Sequence, residues 1–214
     1  MSLKTIIGLA AGTLLLGATN LCADPVNLLL NPGFETATSG DPAGMPVSLS
    51  GLDNSGGASA AADWTVWSNG SANISTDLVP STLPGGGSDM IEVSTTGSYG
   101  GLVQQYLGTP ANQVAASVWV WVVSGCVGIG TGDDGFSAVS SSTCNTGKWI
   151  DLTATNTSSP DTEFVVYDTL TSAGAVFFVD NASVTPSPEP ETLMLLGSGL
   201  LGLGGFVRRK RQNS

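Results

Sequence analysis

Histidine is absent from the 214 residues. Its absence removes the side chain used most often as a general base and as a zinc ligand, so no Ser-His-Asp triad, Cys-His pair or His-rich metal site can be assembled. Glycoside hydrolysis by two carboxylates survives this exclusion, because it needs only Asp or Glu on either side of the scissile bond. No motif nominates such a pair. Bases are nearly as scarce: six Lys and Arg face 17 Asp and Glu, for a formal net charge of -11. Four of the six are Arg208, Arg209, Lys210 and Arg211, and Lys148 is the only base between residues 24 and 187. A surface so poor in cations repels phosphate backbones and anionic headgroups, which excludes nucleic acid as a partner. It suits a soluble extracellular protein that meets neutral sugars or divalent cations.

Cysteine is limited to three residues. Cys22 falls in an apolar N-terminal segment, which leaves Cys126 and Cys144 as an even pair in a compartment that permits disulfides. A bridge between them is the expectation, with two free buried thiols as the alternative. It would close a separation of 18 residues and contribute about 3 kcal/mol on the chain-entropy estimate.

Long hydrophobic runs occur only near the two ends. Met-Ser-Leu-Lys precedes an apolar run from Ile6 to Leu16, and Leu21-Cys22-Ala23 precedes Asp24-Pro25. This is the anatomy of a secretory signal peptide over residues 1–23, handled by the Sec export machinery and cut after Ala23. Bulky Leu21, where a small residue is wanted, argues against acylation of Cys22. At the other end, Pro186-Ser187-Pro188-Glu189-Pro190 leads into an apolar segment from Leu193 to Val207 and then the four bases. As a helix that segment rises only about 22 Å, short of the roughly 30 Å hydrocarbon core, which suits transient insertion better than a permanent span. The basic cluster stays cytoplasmic by the positive-inside rule and puts the rest of the chain outside. Pro188 and Pro190 hold the intervening backbone extended and open to a protease.

Pro188-Glu189-Pro190, the Leu- and Gly-rich run from Leu193, and the terminal Arg/Lys cluster together resemble a PEP-CTERM sorting signal. The resemblance covers the tail alone, residues 186–214. It implies recognition by an exosortase, a membrane transpeptidase or protease of bacteria that make exopolysaccharide. The expected location is the cell surface or extracellular matrix, after transient anchoring in the inner membrane. An ordinary tail anchor is the alternative.

Between the ends, residues 24–185 form the expected folded domain. Helical periodicity is scarce there, and Pro, Gly, Ser and Thr punctuate short runs rich in Val, Ile and aromatics, which points to an all-β fold. Strands are expected at Val26 to Leu30, Trp64 to Trp67, Ala72 to Thr76, Met90 to Val93, Gly101 to Leu107, Val114 to Val123, Phe136 to Val139, Trp149 to Ala154, Glu163 to Asp168 and Ala175 to Thr185. About ten strands fit a two-sheet antiparallel jelly roll, flanked by an N-terminal signal helix and a C-terminal hydrophobic helix. Gly40 to Ala62 and Pro80 to Ser88, rich in Gly, Ser, Ala and Pro, read as surface loops.

Asn27-Leu-Leu-Leu-Asn31-Pro32-Gly33-Phe34-Glu35 and Val176-Phe-Phe-Val-Asp180-Asn181-Ala-Ser-Val184 resemble the first and last strands of galactose-binding-like jelly rolls, a group that includes several carbohydrate-binding modules. The resemblance implies that the two ends of the domain pair near one another. It also implies a structural calcium, with Glu35 and Asp180 as ligands. As a hard cation, calcium would take further oxygens from backbone carbonyls. The alternative leaves both acids as water-exposed strand-end residues.

Trp119 and Trp121, two apart on one strand, share a face, and Val118, Val120 and Val122 take the other. The aliphatic face is the natural core side. The two indoles then become candidates to stack on the apolar face of a sugar, unless the strand is buried on both sides. Trp64 and Trp67, three apart, fall on opposite faces, so at least one belongs to the core. Gly130-Thr131-Gly132-Asp133-Asp134-Gly135 has the letters of a dinucleotide loop, but no helix follows and two carboxylates would repel a pyrophosphate; a tight turn, with a calcium loop as the alternative, explains Asp133 and Asp134 better. The expectation is a non-enzymatic surface or biofilm-matrix protein, sorted by its tail, whose sandwich binds polysaccharide. A matrix protein without a discrete ligand site and a two-carboxylate glycosidase are the alternatives.

Overall fold

The computed structural model describes residues 26–39, 47–53, 57–68, 71–97, 99–106, 114–132, 138–156, 163–169 and 173–186. The signal segment with Cys22, the Pro188-Glu189-Pro190 motif, the basic cluster Arg208 to Arg211, the two flanking helices and the Asp133-Asp134 turn lie outside the described residues. Twelve strands are described: β1 (Val47–Asp53), β2 (Gly57–Ala58), β3 (Thr65–Ser68), β4 (Ser71–Pro80), β5 (Asp89–Thr96), β6 (Gly100–Gln105), β7 (Val114–Ser124), β8 (Val127–Gly132), β9 (Ala138–Thr143), β10 (Trp149–Asn156), β11 (Glu163–Asp168) and β12 (Val176–Pro186). They form two six-stranded sheets. Sheet I has the order β1-β4-β5-β12-β7-β10 and sheet II the order β2-β3-β6-β11-β8-β9. All strand pairings within them are antiparallel. The fold is the expected two-layer β-sandwich.

Strand β7 shows why. Its period-two pattern buries Val114, Ala116, Val118, Val120 and Val122 and turns the alternate residues outward. Packing these aliphatic side chains against Ile91, Val93, Phe177 and Val179 of the same sheet and Leu102, Ile129, Phe164 and Val166 of the other makes one core. Each buried Val contributes roughly 1.5–3 kcal/mol relative to exposure. Between the sheets, Thr95 on β5 donates its hydroxyl to Asp168 on β11 (2.9 Å) and accepts from the amide of Ala175 (2.8 Å). The Cys126–Cys144 disulfide joins the start of β8 to the turn after β9.

Two expectations need correction, and one strand was not anticipated. Val26 to Leu30 is not a strand of either sheet. The amide of Leu28 donates to Val184 on β12 (2.8 Å), but the backbone of Leu30 is taken by the Gln104 side chain, whose Oε1 accepts from its amide (2.6 Å) and whose Nε2 donates to its carbonyl (2.8 Å). The segment thus crosses from sheet I to sheet II, too irregular for a ladder, although it does bring the two ends of the domain together. Gly40 to Ala62 is not wholly loop: β1 and β2 form there, and Ala60 and Ala61 are buried. Val127–Gly132, where no strand was expected, is a central strand of sheet II. Its glycines at 128, 130 and 132 face Tyr167, Val165 and Glu163 across the ladder while Val127 and Ile129 enter the core.

Candidate functional site

The outer face of sheet I carries the sequence-predicted tryptophans. Val118, Val120 and Val122 are fully buried, and Trp119 stands on the opposite side at 36 % exposure. Trp121 is half-buried. Register explains its cover: Trp121 lies between Phe178 on β12 and Trp149 on β10, and its ring meets that of Trp149 edge-on, 5.9 Å between centroids at 72°. Continuing across the sheet, Phe178 pairs with Glu92 on β5, and Glu92 pairs with Asp77 on β4. One row therefore runs Asp77, Glu92, Phe178, Trp121, Trp149. In the adjacent row, Trp119 lies between Asp180 on β12 and Asp151 on β10. Trp119 thus offers an open indole beside an exposed carboxylate, whereas Trp121 and Trp149 buttress each other. Phe178, Trp149, Glu92 and Asp77 were not anticipated, since period-two alternation gives a residue's face but not its cross-strand neighbour.

Trp64 and Trp67 separate as expected. Trp64 is buried, its ring tilted 35° against that of Phe34 with 4.9 Å between centroids, and donates its Nε1 to the carbonyl of Asn31 (3.1 Å). Trp67 turns to the outer side of sheet II, 6.1 Å from Tyr167. Burial, then the neighbouring Tyr99, pushes the Tyr167 hydroxyl above its ordinary pKa.

The two predicted calcium ligands both face the Gly85-Gly86-Gly87 loop. Asn31 and Phe34 adopt positive φ (45° and 59°), and the Asn31 side chain ties the turn to Thr36 and Ala62. The turn plugs Phe34 into the core and leaves Glu35 facing the β4–β5 loop, where it accepts from the amides of Ser88 (3.0 Å) and Asp89 (3.3 Å). From the other side, a bulge after Asp180, with Asn181 at φ 48°, presents the Asp180 carboxylate. It accepts from the Ser81 hydroxyl and from the Asn181 amide (2.7 Å). Asp180 is fully buried. Burial raises its pKa above the ordinary carboxylate value; the hydrogen bonds from Ser81 and Asn181 oppose this, and the Glu35 charge adds to it.

Between the two acids lies Gly85-Gly86-Gly87. A Cβ on Gly86 would strike the Asp180 carboxylate and Ser81 Oγ, and one on Gly87 would strike the Glu35 carboxylate. The loop read from sequence as surface decoration is therefore shaped to these acids, and the triple glycine was the available signal. The donor set suits a hard cation: two carboxylates, a hydroxyl and nearby carbonyls. No group of three or more His, Cys, Asp or Glu side chains forms among the described residues, so calcium would draw its remaining oxygens from the backbone and water.

At the far C-terminus, beyond the last described strand, stand Pro188-Glu189-Pro190, the apolar run and the four bases. Residues 188–211 match the PEP-CTERM protein-sorting motif. The PEP-CTERM tail marks the chain as an exported protein with a C-terminal sorting signal. No curated protein sequence matches the chain. Among solved structures, it is similar to the family 11 carbohydrate-binding module of cellulosomal cellulase Lic26A-Cel5E of Clostridium thermocellum, with 16% identity and a TM-score of 0.45 over 68% of this chain and 96% of that one. It is also similar to the CBM22-1 xylan-binding domain of Paenibacillus barcinonensis Xyn10C, with 15% identity and a TM-score of 0.44 over 69% and 98%. A third similarity is to the MgGH51 α-L-arabinofuranosidase, with 22% identity and a TM-score of 0.48, covering 78% of this chain but 28% of that one. At these values a common strand layout carries no ligand from one protein to another.

Proposed function

We propose that the sandwich binds extracellular polysaccharide on the outer face of sheet I, with Trp119 as the principal stacking platform and Trp121 beside it. The observation that carries this is the open indole of Trp119 on a strand whose opposite face is locked into the core by Val118, Val120 and Val122. A rigid aromatic surface loses little conformational entropy when a sugar ring stacks on it, and Asp151 and Thr153 alongside supply hydrogen-bonding groups. The tail is processed by an exosortase after Sec-dependent export and transient membrane insertion, which delivers the domain to the cell surface or biofilm matrix. Glu35 and Asp180 hold a structural calcium that clamps the first segment of the domain to its last strand.

The test is a titration of the full chain, purified in detergent, against a glycan panel, with a Trp119→Ala, Trp121→Ala variant in parallel. Saturable binding lost in the variant supports the reading. Absence of binding to every glycan points instead to a matrix protein without a discrete ligand site, a reading favoured by the edge-on packing of Trp121 on Trp149. For the ion, calcium should raise Tm and a chelator lower it, with neither effect in Glu35→Gln. Deleting Pro188 to Ser214 should abolish tail processing and surface delivery; unchanged processing would refute that part.

A further inference from the structure

We infer that the polysaccharide taken by the outer face of sheet I carries free amino groups, so that the ligand is an amino-sugar polymer and neither a neutral glucan nor a polyuronate. This rests on the polysaccharide-binding reading above and adds the charge of the ligand.

The aromatic strip is bounded by carboxylates on both sides. Asp77 and Glu92 stand directly opposite one another on β4 and β5, at one end of the row that ends in Phe178, Trp121 and Trp149. Asp151 stands opposite Trp119 on β10 and is exposed. Like charges directly opposite on neighbouring strands repel, and Asp77 Oδ1 is buried and accepts no hydrogen bond among the described residues. No basic side chain accompanies these acids on the described part of that face. The one described base, Lys148, is exposed and lies just ahead of β10.

A protein of net charge -11 with this arrangement repels an anionic polymer before contact. An ammonium group reverses the sign of every interaction. It is attracted to the open face of an indole, and it donates charge-assisted hydrogen bonds to a carboxylate. Strand spacing of about 5 Å puts Asp151 within reach of an amino substituent on the sugar stacked over Trp119. Glu92, about 10 Å from β7 across β12, is placed for a neighbouring residue of the polymer. A neutral hydroxyl can bond the same carboxylates but leaves their mutual repulsion uncompensated.

The experiment compares three oligosaccharides of equal length on the full chain: a glucosamine oligomer, its fully N-acetylated counterpart and an oligouronate. An oligolysine of matching charge serves as a control for bare cation attraction. The glucosamine oligomer is expected to bind at least about tenfold more tightly than the N-acetylated one, and the oligouronate not at all. This preference should shrink with added salt and fall several-fold in Glu92→Gln and Asp151→Asn, while Trp119→Ala removes binding of both amino-sugar oligomers. Equal or tighter binding of the N-acetylated oligomer overturns the inference and leaves the polysaccharide reading standing. A preference unmoved by Glu92→Gln and Asp151→Asn, or oligolysine binding as tight as the glucosamine oligomer, also overturns it. Failure of all three oligosaccharides to bind overturns the inference, and the polysaccharide reading falls with it only if the whole glycan panel also fails to bind.

Discussion

The two sheets bury similar aliphatic faces but differ in what they show outside. Sheet I turns out Trp119, Trp121, Trp149 and Phe178 among carboxylates. The central strands of sheet II turn out Gly128, Gly130 and Gly132 opposite Tyr167, Val165 and Glu163, and all three glycines are buried. On sheet II a glycine is even a packing requirement: a Cβ on Gly101 would overlap the carbonyl of Val166. Inner faces are constrained alike, because burying an unpaired polar group is costly. Outer faces are free to diverge, so differences in function are to be sought on them.

The largest effect should come from confusing inside with outside. Val120→Asp places an unpaired carboxylate at a fully buried site, and we expect a loss of at least about 4 kcal/mol in urea unfolding. A loss no larger than that of Trp119→Ala would break the distinction between the faces of β7. Replacing Cys126 and Cys144 together by Ser should cost about 3 kcal/mol, seen equally on adding reductant to the wild type; an unchanged midpoint would mean that the bridge adds nothing. Next comes Asn27, whose side chain donates to Ala182 (3.0 Å) and accepts from Leu29 (3.1 Å) and Val184 (3.0 Å). Asn27→Ala should cost about 1–3 kcal/mol, with faster amide exchange at Val184.

Asp180 supplies a pH dependence. Its pKa is raised in the native state, chiefly by burial, so between the unfolded and native values the native state binds more protons than the unfolded one. Its contribution to stability is present below the ordinary carboxylate range and is lost as pH rises through the native value. Without calcium, the difference in stability between Asp180→Asn and wild type should therefore grow in favour of the variant as pH rises toward neutral. A pH-independent difference would show that Asp180 is no more costly to ionise in the folded chain. The smallest stability effect belongs to Trp119→Ala, within about 1 kcal/mol, even though the same change should remove binding. A large loss of Tm would recast Trp119 as structural.

Much of this was legible in the chain. Alternation alone separated Val118, Val120 and Val122 from Trp119 and Trp121, because side chains on a strand point to opposite faces in turn. The even cysteine pair announced its bridge, and the Asn31 to Glu35 and Asp180-Asn181 patterns singled out two distant acids that face one loop. What escaped has a common cause. Gly-rich Val127–Gly132 carries little strand signal, yet it lies between β11 and β9, whose ladders fix it as a strand. Val26 to Leu30 reads as a strand by its apolar run, yet the Gln104 side chain takes the backbone of Leu30.

The sequence by itself determined the class of fold, the inward and outward faces of its regular strands, the acidity of the domain and the sorting signal at its end. These depend on local alternation, composition and short contiguous motifs. Only the tertiary structure decided that Trp121 would lean on Trp149, that Glu92 and Asp77 would bound the aromatic row, and that Gly85-Gly86-Gly87 would lie between Glu35 and Asp180. Each of those depends on cross-strand register and loop docking between residues far apart in the chain, which follow from how the two sheets share one core.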